Sequence, residues 1–186
     1  MDSKMKKDNV IMVSILCAVY NHEKYLHQCL EGFLKQKTNF NYEVIIHDDA
    51  STDSSVDIIQ EYVSKYPDII KPIYQKENQY SKGIQIFKIM YQTARGKYMA
   101  YCEGDDYWID ENKLQTQIEL LENHPEYSAS THNEIVVDIN SVPYPSNQQK
   151  IYREKKDRVL DSTYIYNFCK VAHTASFVHR SSLFTE

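Results

Sequence analysis

The stretch from Tyr98 to Trp108 reads Tyr-Met-Ala-Tyr-Cys-Glu-Gly-Asp-Asp-Tyr-Trp. Its first half is a nearly continuous apolar run, which is typical of a strand buried on both faces of a sheet that is covered by helices. Its second half places the carboxylates of Glu103, Asp105 and Asp106 within four positions, around Gly104. Carboxylates this close repel one another, so a fold that gathers them at a strand end needs a compensating cation or a strong hydrogen-bond network.

Two interpretations of this acidic cluster are open. Oxygen ligands suit a hard divalent ion, Mg2+ or Mn2+, which proteins typically hold with one or two carboxylates together with substrate phosphates. Alternatively, the acids are solvated turn residues that cap the next helix, since Asp is common in turns and caps. The buried strand that leads into the cluster favours the metal site. We take Glu103, Asp105 and Asp106 as its candidate ligands.

Apolar runs of strand length alternate with amphipathic runs on both sides of this stretch. We predict strands over residues 10–19, 42–47 and 69–75 and at the start of 98–108, and helices over 22–36, 83–95 and 113–123, with another after 48–53. Ser51 or Thr52 should cap the helix after 48–53, Gly96 should end the helix over 83–95, and Asp110 should cap the last helix. This alternation predicts an α/β fold with right-handed crossovers.

Polar residues follow three of the predicted strands. They are Tyr20-Asn21, Asp48-Asp49 and the acids from Glu103 to Asp106. Because ligands bind outside the carboxyl ends of the strands in such sheets, we expect all three segments to open on one edge. Glycine at position 104 would give the backbone freedom to turn there and present the acids together.

The pattern weakens after Tyr127. Residues 127–132 and 134–139 read as two short strands, and residues 140–158 as a mobile polar excursion that ends in a basic cluster. A helix-like segment over 161–169 and a strand over 174–178 should return the chain to the core. Tyr107 and Trp108 could form an aromatic platform beside a ligand, while Trp108 could equally be local core.

Composition limits the possible functions. With 186 residues, of which 42% are hydrophobic, the chain can bury a single-domain core. A net charge of -5 without a basic footprint argues against nucleic acid as a partner. The apolar run over 10–19 is too short to span a bilayer and has no cleavage site behind it, so we expect neither a signal peptide nor a membrane helix. The cysteines are scattered, which predicts reduced core thiols in a cytosolic protein.

Three segments carry a resemblance to a known family. They are Ile-Leu-Cys-Ala-Val-Tyr-Asn (15–21), Glu-Val-Ile-Ile-His-Asp-Asp-Ala-Ser-Thr-Asp (43–53) and Ala-Arg-Gly-Lys-Tyr-Met-Ala-Tyr-Cys-Glu-Gly-Asp-Asp-Tyr-Trp (94–108). In this order and spacing they resemble the nucleotide-sugar-binding half of family 2 glycosyltransferases, from Val13 to about Glu126. The implied fold is GT-A, a Rossmann-like three-layer α/β/α sandwich with a mostly parallel central sheet. It implies a nucleotide-sugar-binding region over 10–126 and, in the same domain, an acceptor-side region over 127–186 that is incomplete at the C-terminus. The polar, charged residues 1–9 are expected to be a disordered tail.

The resemblance also implies an activity and site residues. The donor would be a nucleoside-diphosphate sugar, in particular a UDP-sugar, and the cofactor would be Mn2+ or Mg2+. The reaction would invert the configuration at the anomeric carbon. Tyr20 would flank the base, beside Asn21 and the backbone of Ala18 and Val19. Asp49 would hydrogen-bond a uracil-like edge. Asp105 and Asp106 match the family's Asp-x-Asp region, where one acid touches the ribose and the other the metal; Glu103 stands where many members have the first Asp, which leaves the direct metal ligand open.

Acceptor and base complete these expectations. The acceptor would be a saccharide or a lipid-linked sugar in bacterial cell-surface polysaccharide synthesis, handled by a cytoplasmic protein that could contact the inner face of the membrane. No match to the family's catalytic base precedes Glu186, so we expect the base beyond that residue and poor transfer by this chain. The alternative function is a receiver-like phosphoacceptor domain, because Asp48-Asp49 after an apolar strand resembles an acidic phosphorylation pocket. In that class, however, the acidic pair follows the first strand.

Overall fold

The computed structural model describes residues 10–145, 156–161 and 173–184. Its strands are β1 (Ile11–Val19), β2 (Asn41–Asp48), β3 (Ile70–Tyr74), β4 (Tyr98–Tyr101), β5 (Ala129–Ser130) and β6 (Val178–Arg180). They form one six-stranded sheet in the order β3-β2-β1-β4-β6-β5. The first four strands are parallel, and β6 runs antiparallel between β4 and β5. The predicted α/β fold with a mostly parallel sheet is therefore confirmed.

In the described ranges, four α-helices cover the two faces of this sheet. They are α1 (Leu26–Leu34), α2 (Ser55–Lys65), α3 (Ile86–Tyr91) and α4 (Lys113–Asn123). Alternate residues of β1 supply the two faces, because neighbouring side chains of a strand point in opposite directions. Ile15 packs in the larger core with α1, α2 and α4, whereas Leu16 packs in the smaller core with α3. The result is the three-layer sandwich expected from the sequence.

Several predicted helix ends are wrong. Helix α2 begins at Ser55, not after Ser51 or Thr52, because Ser51 Oγ accepts a hydrogen bond from the backbone of Asn21 instead. Helix α3 is much shorter than residues 83–95 and ends at Tyr91, with Gln92, not Gly96, at its C-cap. Asn112, not Asp110, occupies the N-cap position of α4. At α2 a contact distant in sequence replaces the expected cap, and local capping rules do not include such a contact.

The part of the chain after Tyr127 differs most from prediction. Of the two strands predicted over 127–132 and 134–139, only β5 forms, and residues 137 and 143 make an isolated bridge. The strand predicted over 174–178 is wrong, because Thr174–Ser176 is a short 3-10 turn and β6 begins at Val178. The predicted tail over 1–9 and most of the helix-like segment 161–169 lie outside the described residues, as do residues 146–155 of the polar excursion.

A buried polar network fixes the start of β4. Glu43 on β2 is 1% exposed, and its Oε1 accepts hydrogen bonds from Ser14 Oγ at 2.7 Å and from the backbone of Arg95 at 2.9 Å. The Arg95 side chain donates to the other oxygen of Glu43. Gly96 N donates to Ser14 Oγ at 2.9 Å. Position 96 lies so close to β1 that a Cβ there would meet the backbone N of Ser14 at 2.4 Å.

The cysteines agree with the sequence analysis where they are described. Cys17, Cys29 and Cys102 are buried free thiols, as predicted, while Cys169 lies outside the described residues. Burial is the largest factor that raises the pKa of the Cys29 thiol, which favours the neutral form. Within the described ranges, none of the helices combines the length and the apolar character that a bilayer span requires.

Candidate functional site

A cleft of about 250 Å3 opens at the carboxyl edge of the parallel strands. The ends of β1, β2 and β4 line it together with the turn that follows β3. Its lining residues are Ala18, Val19, Tyr20, His22, Asp49, Asn78, Tyr80, Ile86, Glu103 and Asp105. Six of the residues named from the sequence therefore meet at one rim. A larger cavity of about 340 Å3 lies at the opposite edge, beside Met12 and Phe40, away from these strand ends.

Asn21 does not line the cleft. It connects the end of β1 to the loop after β2. It adopts a left-handed conformation with φ 58°, which Asn tolerates better than most residues. Its Oδ1 accepts a hydrogen bond from Thr52 N at 2.7 Å, and its own N donates to Ser51 Oγ at 2.9 Å. Ala50 is also left-handed, with φ 64°, a strained conformation for a residue with a Cβ. Asn21 thus ties the loop after β2 to the end of β1, next to Tyr20.

Asp49 lies at the bottom of the cleft, only 3% exposed. Its Oδ1 accepts a hydrogen bond from Gln79 N at 2.7 Å, and its Oδ2 accepts one from Tyr80 N at 3.0 Å. Its neighbour Asp48 accepts from Ser51 N, and Asp48 Oδ1 is buried without a hydrogen-bond partner among the described residues. The Asp48-Asp49 pair therefore organises the loops on either side of the cleft.

The acidic cluster adjoins the cleft, which Glu103 and Asp105 line but Asp106 does not. One carboxylate oxygen from each of Glu103, Asp105 and Asp106 lies within 4.8 Å of the others. Gly104 was expected to let the backbone turn; its φ is not positive, and the structure shows close packing there, since a Cβ would meet His22 Nδ1 at 2.7 Å and Val19 Cγ2 at 3.0 Å. Gly104 N donates to Ala18 O at 2.9 Å, which ties the acids to the end of β1.

The electrostatics of this cluster fit a divalent cation. Burial, followed by the charges of Asp105 and Asp106, raises the pKa of the Glu103 carboxyl. Burial also raises the pKa of Asp106, with Asp105 adding to the effect and His173 opposing it. A bound hard cation would stabilise the ionised forms of Glu103 and Asp106 in this crowded set of oxygen donors, and Mg2+ or Mn2+ prefers such ligands. The residues present therefore fit the predicted metal site.

Comparison with known proteins identifies the family. The model for "Glycosyl transferase family 2" matches residues 14–181. The chain belongs to glycosyl transferase family 2. This membership agrees with the resemblance seen in the sequence and displaces the receiver-like alternative.

This family 2 chain aligns with only part of the length of its relatives. An uncharacterized protein of Mycobacterium tuberculosis is 46% identical over 121 residues, which are 64% of this chain and 34% of the relative. The UDP-Glc:alpha-D-GlcNAc-diphosphoundecaprenol beta-1,3-glucosyltransferase WfaP of Escherichia coli is 36% identical over 112 residues, 60% of this chain and 41% of the relative. The chain thus matches well under two thirds of the length of these relatives.

Solved structures share the fold. The crystal structure of S. aureus TarS 1–349 in complex with UDP aligns with a TM-score of 0.67 and 23% identity, over 93% of this chain and 48% of that chain. The mannosyltransferase PcManGT from Pyrobaculum calidifontis, in complex with GDP-Man and Mn2+, aligns with a TM-score of 0.59 and 18% identity, over 67% of this chain and 36% of that one. At these identities the likeness shows the GT-A fold alone.

Two histidines flank the acids of this family 2 site. His22 Nδ1 lies 4.0 Å from Asp105 Oδ1, and His173 Nδ1 lies 3.5 Å from Asp106 Oδ2. His22 was not singled out from the sequence, although it directly follows the Tyr20-Asn21 pair. His173 comes from the segment before β6, so the far end of the described chain reaches the acidic cluster.

Trp108 is core and not a platform for a ligand. It is 7% exposed, its Nε1 donates to Ala175 O at 2.8 Å, and its ring meets Phe33 edge-to-face at 4.9 Å. The Nζ of Lys113 lies 4.0 Å from the centre of the indole ring. This family 2 chain therefore uses Trp108 to pack the 3-10 turn at Thr174–Ser176 against α1 and α4.

Because Lys113 is buried, we expect the free energy of unfolding to depend on pH. Its side chain is buried, its Nζ donates to Gln117 Oε1 at 2.8 Å, and burial lowers its pKa to about 7. In the unfolded chain the Lys113 amine stays protonated up to about pH 10.4. Between about pH 7 and pH 10.4 the unfolded state therefore binds more protons than the folded state. The free energy of unfolding must then rise with pH across that window. Between pH 7 and pH 10 we expect the free energy of unfolding to increase by roughly 3 kcal/mol more in the wild type than in Lys113→Met.

Urea unfolding at several pH values measures this difference. Lys35→Met removes a lysine whose side chain is 69% exposed, and it should keep the wild-type pH slope. Equal slopes in the wild type and Lys113→Met would contradict a neutralised, buried amine.

Proposed function

We propose that the protein is a metal-dependent, inverting glycosyltransferase that moves a sugar from a UDP-sugar to a saccharide or lipid-linked acceptor. The observation that carries this proposal is the meeting of Tyr20, Asp49 and the acidic cluster in one cleft. An aromatic ring and a buried carboxylate suit a base, and a set of carboxylate oxygens suits a ribose and the cation of a diphosphate.

Each residue has a proposed role. Tyr20, which is 45% exposed, flanks the base, while the backbone of Ala18 and Val19 forms the floor. Asp49 accepts a hydrogen bond from the base. One of Asp105 and Asp106 contacts the ribose and the other, with Glu103, holds the cation. When bound, Mg2+ or Mn2+ would supply a Lewis acid that neutralises charge on the diphosphate leaving group. Asn21 acts through the β2 loop, as its hydrogen bonds to Ser51 and Thr52 suggest.

The donor and acceptor classes draw support from relatives. TarS has been crystallised with UDP, and the full name of WfaP includes a UDP-Glc donor and a diphosphoundecaprenol-linked acceptor. We extend these classes to this chain, with a role in bacterial cell-surface polysaccharide synthesis on the cytoplasmic side of the membrane.

Calorimetric titration with UDP tests the proposal. With Mn2+ present we expect saturable binding, and after EDTA treatment we expect affinity at least about tenfold lower, because the diphosphate would then face the acids without a cation. Equal affinity in the two conditions would rule out the metal dependence. Absence of binding in both would rule out the UDP site.

A further inference from the structure

The turn after β3 presents an aromatic side chain that the family resemblance did not assign. Tyr80 opens a 3-10 turn at Tyr80–Lys82, which ends at Gly83 with φ 76°. The Tyr80 side chain lines the cleft and is 77% exposed. A lone exposed aromatic residue is ordinary on a protein surface, so its position and its support decide whether it has a role.

The sheet order places Tyr80 and Tyr20 on opposite flanks of Asp49. Tyr80 follows β3, Asp49 follows β2 and Tyr20 follows β1, and these strands are neighbours in that order. Both tyrosines and Asp49 line the same cleft. A planar group that reaches Asp49 therefore has an aromatic residue available on each side.

Asp49 also fixes the turn that carries Tyr80. Its two carboxylate oxygens accept the backbone N–H groups of Gln79 and Tyr80, at 2.7 and 3.0 Å. Hydrogen bonds to a buried carboxylate are charge-assisted and strong, so the backbone of Tyr80 is well positioned even though its ring is exposed. Each carboxylate oxygen can accept more than one hydrogen bond, so Asp49 keeps capacity for a ring N–H of a base.

We propose that Tyr80 forms the second wall of the nucleobase site, so that the base stacks between Tyr80 and Tyr20, and that Asp49 positions Tyr80 through its backbone. The inference rests on the proposed nucleotide-sugar function. It makes Tyr80 a binding residue for the base and not for the diphosphate. Stacking uses the face of the ring, so the phenol hydroxyl is not required.

Calorimetric titration tests whether Tyr80 stacks on the base. The variants Tyr80→Ala and Tyr80→Phe are titrated with UDP and with inorganic pyrophosphate, in both cases with Mn2+ present. We expect Tyr80→Ala to weaken UDP binding about tenfold, as loss of one stacking partner should, and to leave pyrophosphate binding unchanged. Tyr80→Phe should bind UDP within about twofold of the wild type. Ile84→Ala is the matched control, because Ile84 is a 41% exposed residue just beyond the same turn that does not line the cleft.

The outcomes separate this inference from the proposed function. If the wild type binds UDP with Mn2+ but Tyr80→Ala binds it equally well, Tyr80 is not a wall of the site and the proposed function stands. If Tyr80→Ala loses UDP and pyrophosphate to the same degree, its effect is not on the base and the inference fails. If the wild type itself does not bind UDP, the proposed function fails, and this inference with it.

A double-mutant cycle tests the positioning by Asp49. In an Asp49→Ala background the turn loses both of its anchors, so the Tyr80→Ala change should reduce UDP affinity by less than about twofold. Full additivity of the two changes would overturn the positioning role. Thermal unfolding of each variant, with a melting temperature close to that of the wild type, shows that the proteins compared are folded.

Discussion

Replacing Asp105 and Asp106 together by alanine is expected to remove the effect of Mn2+ on UDP binding. The change leaves Glu103 as the one carboxylate of the three-residue cluster, so the ion would lose two of its three candidate protein ligands. Loss of even an outer-shell partner costs roughly 10- to 100-fold in metal affinity, so the loss of two candidate ligands should exceed about 100-fold. Calorimetric titration with Mn2+, in the presence of UDP, measures this loss of metal affinity directly.

A charge-matched control distinguishes ligation from a general loss of negative charge. Asp110→Ala with Glu111→Ala also removes two acids a few residues downstream, on exposed positions outside the cluster. This control should keep the Mn2+ effect. The Asp105 and Asp106 variant should also melt no lower than the wild type without metal, because it removes charges that repel Glu103. Mn2+-dependent UDP binding by that variant would show that the cluster is not the metal site.

The Gly96→Ala variant is expected to lose roughly 3 kcal/mol or more of folding stability. A methyl group at this position would lie 2.4 Å from Ser14 N and 2.7 Å from Tyr98 O. Both are backbone atoms of paired strands, so neither can move aside without breaking the β1-β4 ladder. Urea unfolding followed by circular dichroism gives the change in free energy.

Gly83→Ala provides the comparison. Gly83 has φ 76° and open space around its Cβ position, so alanine there should cost only about 1–2 kcal/mol of backbone strain. A loss at position 96 no greater than the loss at position 83 would mean that the strands can separate enough to admit a methyl group.

Much of the fold could be predicted because its signals are local. Helix α4 spans 113–123 as predicted, since its apolar residues repeat with helical spacing. Strand β1 differs from prediction by one residue at its start. The α2 cap was wrong because Ser51 bonds to Asn21, thirty positions away, and β6 was misplaced because its pairing partners on β4 and β5 define a strand of only three residues.

The convergence of the cleft residues was predictable for a different reason. Parallel strands end at a common edge, so the polar residues after β1, β2 and β4 had to approach one another. Tyr80 and His22 were not predicted as site residues, because turn residues have no periodicity that marks the side they face. Trp108 could not be assigned to the core from sequence, since its partners Ala175 and Lys113 are brought to it only by the fold.

The placement of β6 between β4 and β5 has a consequence for how the protein is made. Until β6 emerges from the ribosome, β4 has β1 on one side and an unpaired backbone on the other, the state in which strands join foreign chains. Contacts between such distant segments form late, because a long loop must close first. The strand that leads into the acidic cluster is thus an exposed edge of the nascent sheet until β6 pairs with it, and expression at lower temperature should raise the soluble yield.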